Sequence, residues 1–127
     1  MLFRSDFVLD PMPFGNVNGT IEPLNMGVPV VTLVGQTHGE RTGYSILSHV
    51  GETRTVATSG KEYVDIAVRL ATDRDFAREV RASLRARMSD PAVVDPRVYV
   101  RNLENAYDAA LAARGGEAPG DGDGHAR

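Results

Sequence analysis

The feature that most constrains this chain is the run Val30-Val31-Thr32-Leu33, which follows Gly27-Val28-Pro29 and shows no alternation of apolar and polar residues. A β-branched run without alternation is buried on both faces, and that environment is a parallel sheet covered by helices above and below. A second apolar run, Phe7-Val8-Leu9, is stopped by Asp10-Pro11-Met12-Pro13 and reads as another such strand. Between them, Asn16-Val17-Asn18-Gly19 supplies turn and cap residues for a short helix expected from about Thr20 to Met26, ended by Gly27. Pro23 fits that helix only near its first turn, where amides have no helical acceptor. The unit is strand, loop, short helix, strand.

The rhythm continues. A helix is expected over Glu40 to Val50 with Gly51 as its stop, then a third strand at Thr55-Val56-Ala57. Ser59 followed by Glu62 is a capping box, and Tyr63, Ala67 and Leu70 give the next helix, Lys61 to Ala71, an apolar stripe. Thr72 or Asp73 caps a further helix in which Phe76, Val80, Leu84 and Met88 recur every fourth residue. Asp95-Pro96 opens the last one, and Tyr99, Leu103, Ala106, Tyr107 and Ala110 are expected on its buried side. From Gly115 the Gly-rich tail has nothing to bury and is expected to be disordered. Two or three parallel strands make an incomplete sheet, since a self-contained doubly wound domain has five or six, so an N-terminal portion is expected to be missing.

Composition removes several alternatives. The chain has 127 residues, room for one modest domain, and a net charge of -3 exerts no general pull toward nucleic acid or an anionic membrane. With no cysteine and only His38, His49 and His125 as histidines, neither a disulfide nor a metal site is expected. No apolar stretch approaches the ~20 residues of a membrane span, and the N-terminus lacks a signal peptide's apolar core, so a cytoplasmic location is expected. Lys61 is the only lysine among 14 basic residues, a bias that suits a GC-rich genome.

The chemistry-bearing stretch is Leu9 to Glu22. It joins a strand's C-terminal end to a helix start, which is where open α/β sheets bind ligands. Unpaired amides and a partial positive charge let Asn18, Gly19 and Thr20 cradle a diphosphate, with Asn16 in the loop just before them. Glu22 follows Asn18 by one turn on the same face, placed to accept from ribose hydroxyls. Diphosphate plus ribose implies a nucleotide. By local rules alone a second reading stands: Asn18 as N-cap, Gly19 as a turn residue and Glu22 as a first-turn acid.

The order Pro13-Phe14-Gly15-Asn16-Val17-Asn18-Gly19, Gly27-Val28-Pro29-Val30-Val31-Thr32-Leu33, Gly35-Gln36-Thr37, Arg41 and Glu62-Tyr63-Val64 resembles the family of O-linked N-acetylglucosamine transferases and bacterial adhesin glycosyltransferases. Asn-Val-Asn-Gly resembles the adhesin branch more than the eukaryotic enzymes, which carry His-Thr-Thr there. The resemblance implies an α/β, partial Rossmann-like fold: the C-terminal half of the C-terminal domain of a GT-B glycosyltransferase, a short parallel sheet with C-terminal helices. The resemblance spans about Asp6 to Leu111; the domain is expected over residues 1–113 and, from its composition, a disordered tail over 114–127. It also implies that the chain is the UDP-sugar-binding portion of a bacterial enzyme that glycosylates proteins, inactive alone, with no cofactor or metal. Asn18 then matches the diphosphate contact and Glu22 the ribose contact, where the family usually has Asp. The phosphate-binding lysine, the uracil contacts and the acceptor-presenting domain lie upstream, so no residue here is expected to be catalytic. The alternative is a stand-alone nucleotide-binding or interaction module left by gene truncation.

Two other features invite assignment. His38 follows the second strand, but a loop histidine before a helix reads better as a cap or surface residue than as a general base. Arg74, Arg78, Arg81 and Arg85 share a helix face that suggests a phosphate-binding ridge, but Asp73, Asp75 and Glu79 interleave with them, so a solvated face is the better reading.

Overall fold

The computed structural model describes residues 5–115. Three parallel strands, β1 (Val8–Leu9), β2 (Val30–Leu33) and β3 (Val56–Ala57), lie in the order β1-β2-β3, with Val8 opposite Val30 and Leu33 opposite Ala57. Parallel neighbours require crossovers. These are α1 (Val17–Asn25), and then a 3-10 turn at Gly39–Arg41 leading into α2 (Thr42–Val50). Beyond β3 come α3 (Gly60–Thr72), α4 (Arg74–Arg87), the single turn α5 (Pro91–Val94), and α6 (Pro96–Gly115). The chain divides after Val94 into two compact units.

In the first unit β2 is fully buried at Val30, Val31 and Thr32, as its unalternating sequence requires. Leu24 of α1, Leu47 and Val50 of α2, Leu70 of α3, and Phe76, Val80 and Leu84 of α4 close on it from both sides. Each such side chain contributes about 1.5–3 kcal/mol by leaving water. The caps follow the sequence. Ser59 Oγ accepts from Glu62 N (3.2 Å), Asp73 Oδ1 accepts from Phe76 N (2.9 Å), and Gly51, at φ 80°, ends α2 in the left-handed region that glycine adopts freely. The Glu62 carboxylate departs slightly from a capping box: it takes Thr58 N (2.7 Å) and Thr58 Oγ1 (2.8 Å) instead of the Ser59 amide.

Three expectations need correction. First, α1 begins at Val17, three residues before the expected start, because Asn16 and not Asn18 is the cap. Pro23 is therefore the seventh residue of the helix, in its last turn and buried. Its carbonyl takes Met26 N (3.0 Å) and Val28 N (2.8 Å) at the helix end, while the helical bond its missing N–H forfeits is the one to the Gly19 carbonyl. Second, the stretch expected as one helix from Glu40 opens as the 3-10 turn and becomes α-helical only at Thr42. Third, Tyr99, Leu103 and Tyr107 of α6 do not form a buried side; Tyr99 is 63% and Tyr107 61% exposed. Helical periodicity marks an apolar face without supplying what covers it. Of the tail expected from 114, Arg114 and Gly115 belong to α6, and residues 116–127 lie outside the described residues.

Candidate functional site

The start of α1 lies at the C-terminal end of the sheet. Asn16, in extended backbone at φ -106° and ψ 106°, caps it: its side chain accepts from Gly19 N at 2.9 Å and its carbonyl from Thr20 N at 2.9 Å. A Cβ at Gly19 would sit 2.5 Å from Asn16 Nδ2, so this glycine makes room for the cap. These bonds commit two of the amides that sequence reasoning aimed at a ligand. The helix-start donors left without an intrahelical acceptor are those of Val17 and Asn18.

The five candidate side chains separate accordingly. Asn18 and Glu22 are both exposed and one turn apart on α1, so the structure does bring them onto one face. Glu22 is the sixth residue of the helix, beyond the first turn, where the helix dipole has largely faded. Asn16 is exposed but engaged as the cap, Gly19 is half-buried beneath it, and Thr20 is fully buried, with an Oγ1 that finds no partner among the described residues. The Thr20 side chain thus lies in the interior.

Beneath the loop lies a residue that the sequence marked only as a strand stop. Asp10 is 5% exposed. Its Oδ2 accepts from Thr32 Oγ1 (2.7 Å), its Oδ1 from Asn16 N (3.2 Å), and its carbonyl from Tyr63 OH (2.9 Å). Burial, aided by the negative charge of Asp10, raises the Tyr63 phenol above its ordinary pKa.

The loop after β2 satisfies itself. The Glu40 carboxylate accepts from Gln36 N (2.8 Å) and Thr37 N (3.0 Å), and the Thr37 and Gln36 amides hold its pKa below the usual carboxylate range. Arg41 donates to Gly35 O (3.3 Å) and lies over the Tyr44 ring. His38 is exposed and, with Val17, Arg41, Tyr44 and Ser45, lines a cavity of about 480 Å³ beside the α1 start. The arginine face of α4 is less simply solvated than its sequence implies. Arg74, Arg78, Arg81 and Arg85 wall a groove of about 670 Å³ together with Phe7 and Leu70, and Arg81 pairs with Asp6 at 3.1 Å. Among the described residues no three His, Cys, Asp or Glu side chains converge as metal ligands, and no helix is long and apolar enough to cross a membrane.

Comparison with known proteins decides what this arrangement belongs to. The model of glycosyl transferase family 41 matches residues 4–103, a span that takes in all three strands and the α1 start. The chain belongs to glycosyl transferase family 41. A rice protein named probable UDP-N-acetylglucosamine--peptide N-acetylglucosaminyltransferase SPINDLY is 43% identical over 102 residues, covering 80% of this chain and 11% of its own length. A Caenorhabditis elegans UDP-N-acetylglucosamine--peptide N-acetylglucosaminyltransferase is 32% identical over 102 residues. The solved structure of a Thermobaculum terrenum O-GlcNAc transferase mutant superposes with a TM-score of 0.75 at 34% identity, covering 85% of this chain and 22% of that one. The chain therefore spans about a tenth of the length of the curated relatives it matches. Its fold is the partial Rossmann-like α/β arrangement of a GT-B family 41 transferase, a short parallel sheet followed by helices.

Proposed function

We propose that this segment of family 41 is the donor-binding portion of a glycosyltransferase: it holds the diphosphate and ribose of a UDP-sugar whose glycosyl group passes to a protein acceptor. The observation that carries the reading is the exposed pair Asn18 and Glu22 on one face of α1, at the C-terminal end of β1. The Val17 and Asn18 amides, reinforced by the helix dipole, receive the diphosphate, with the Asn18 side chain as a further donor. Glu22, one turn on, accepts from the ribose hydroxyls, and Asn16, Gly19 and Thr20 shape the helix start from below. As the sugar leaves, those amides stabilise the charge that develops on UDP, and the chemistry calls on no metal or cofactor. Relatives named as UDP-N-acetylglucosamine--peptide transferases support both the donor and the protein acceptor. The acceptor is presented from outside this segment, in a soluble bacterial enzyme of the cytoplasm.

The test is dissection of the ligand. In equilibrium titrations of the 127-residue chain, UDP and inorganic pyrophosphate bind while uridine without phosphates does not. Uridine binding as well as UDP, with pyrophosphate inert, would remove the diphosphate from the account.

A further inference from the structure

We infer that Asp10 is a positioning residue for donor binding: its carboxylate fixes the start of α1 against β2, and so sets where the Val17 and Asn18 amides point. The inference rests on the reading of α1 as the nucleotide-binding helix. A carboxyl group at 5% exposure is costly unless its oxygens find partners, and no cationic side chain pairs with Asp10 among the described residues. Packing alone does not call for such a group. What the carboxylate supplies is two acceptor oxygens on one rigid plane, used in two directions. Oδ2 takes the Thr32 hydroxyl in the buried centre of β2, and Oδ1 takes the Asn16 amide in the loop.

Asn16 in turn caps Gly19 with its side chain and Thr20 with its carbonyl, so the first turn of α1 hangs from Asn16 and Asn16 hangs from Asp10. A second anchor arrives from α3, where Tyr63 OH donates to the Asp10 carbonyl from 53 residues away. Gly43 of α2 closes the space behind: a Cβ there would overlap Asp10 Oδ2 and sit 2.5 Å from Thr32 Oγ1. Elements from across the sheet thus converge on one residue, through its carboxylate and its backbone carbonyl, and that residue touches no ligand. A rigid support of this kind limits drift of the donors, which loses affinity or rate at small displacements.

Three variants of the 127-residue chain test this: Asp10→Ala, Asp10→Asn and, as a stability control away from the site, Val80→Ala. The readouts are amide exchange at Asn16 and Gly19, UDP affinity and melting temperature. Asp10→Ala should speed exchange at Asn16 and Gly19 about tenfold, the scale of a lost hydrogen bond to a charged acceptor, and weaken UDP binding by a similar factor. Asp10→Asn keeps one acceptor for Asn16 and a donor that the Thr32 hydroxyl accepts, so both readouts return close to wild type. Val80→Ala lowers the melting temperature with UDP affinity intact. If the alanine variant does not fold, Asp10→Ser replaces it, since its single hydroxyl oxygen leaves a partner for Thr32 but withdraws the one that holds Asn16.

Unchanged exchange at Asn16 and Gly19 in Asp10→Ala overturns the inference whether or not UDP binds. A fall in melting temperature with unchanged UDP affinity overturns it too, and so does Asp10→Asn binding UDP far more tightly than wild type, which would make the charge itself the effect. Failure of the wild-type chain to bind UDP instead overturns the nucleotide reading, and the exchange data still judge the brace.

Discussion

The substitution Glu22→Gln distinguishes a ribose contact from a structural acid, because the two roles act on different measurements. A first-turn carboxylate stabilises a helix by about 0.3–1 kcal/mol through the dipole, but that effect dies away beyond the first turn. With α1 starting at Val17, Glu22 is its sixth residue, exposed, and its side chain makes no hydrogen bond among the described residues. The substitution should therefore leave the melting temperature almost unmoved, within the roughly 0.5 kcal/mol typical of surface changes. Its effect on nucleotide binding is a different matter. Hydrogen bonds to a charged acceptor are worth roughly 1.5–3 kcal/mol against about 0.5–1.5 for neutral ones, and Gln keeps one acceptor oxygen, so the expected loss is about 1 kcal/mol, roughly fivefold in affinity for UDP. Calorimetric titration and a thermal melt of the same preparation measure both. Unchanged UDP affinity would refute the ribose contact and reduce the site to Asn18 and the helix-start amides.

Three further outcomes are expected. Gly43→Ala should destabilise the first unit by about 1–3 kcal/mol, because its Cβ meets Asp10 and Thr32 where nothing can yield; a thermal melt equal to wild type would contradict that packing. Acid should destabilise the fold through Glu40 and Glu62, whose pKa values are lowered by the Thr37 and Gln36 amides and by Thr58 respectively. Groups with depressed folded pKa values bind fewer protons folded than unfolded, so their contribution is present above the ordinary 4.5 and is lost as pH falls through the folded values. Melts from pH 7 to 3 that show no loss of stability below that point would contradict the cited contacts. Finally, the 127-residue chain alone should release no UDP from UDP-N-acetylglucosamine in the presence of acceptor peptides, and steady turnover above a heat-denatured control would refute that.

Much of this fold is legible in the sequence where the signal is local. Ser59 with Glu62, Asp73 before Phe76, and Gly51 after Val50 each mark an end through atoms a few residues apart, and the structure uses all of them. The unalternating Val30 to Leu33 likewise required a strand covered on both faces. The site was harder to read. Asn16 and Asn18 flank Val17 and are equally good caps by residue type, so naming Asn18 as the cap had no local warrant over Asn16, the residue whose amide donates to Asp10. Asp10 itself gave no sign beyond ending a strand, since its partners Thr32 and Tyr63 lie 22 and 53 residues away. Thr20 adjoins Asn18 and Gly19 in sequence, but the helical turn carries its side chain inward, which adjacency does not reveal. The apolar face of α6 was read correctly as apolar and incorrectly as buried, because periodicity is a property of the helix and burial a property of its surroundings.

The central claim is that α1 carries the nucleotide, and a residue-resolved NMR titration of the 127-residue chain with UDP tests it most directly. The account predicts that the largest shifts fall on Asn16, Val17, Asn18, Gly19 and Glu22, at the helix start and the face that follows it. Shifts confined to Arg74, Arg78, Arg81 and Arg85, along the groove beside α4, would contradict it.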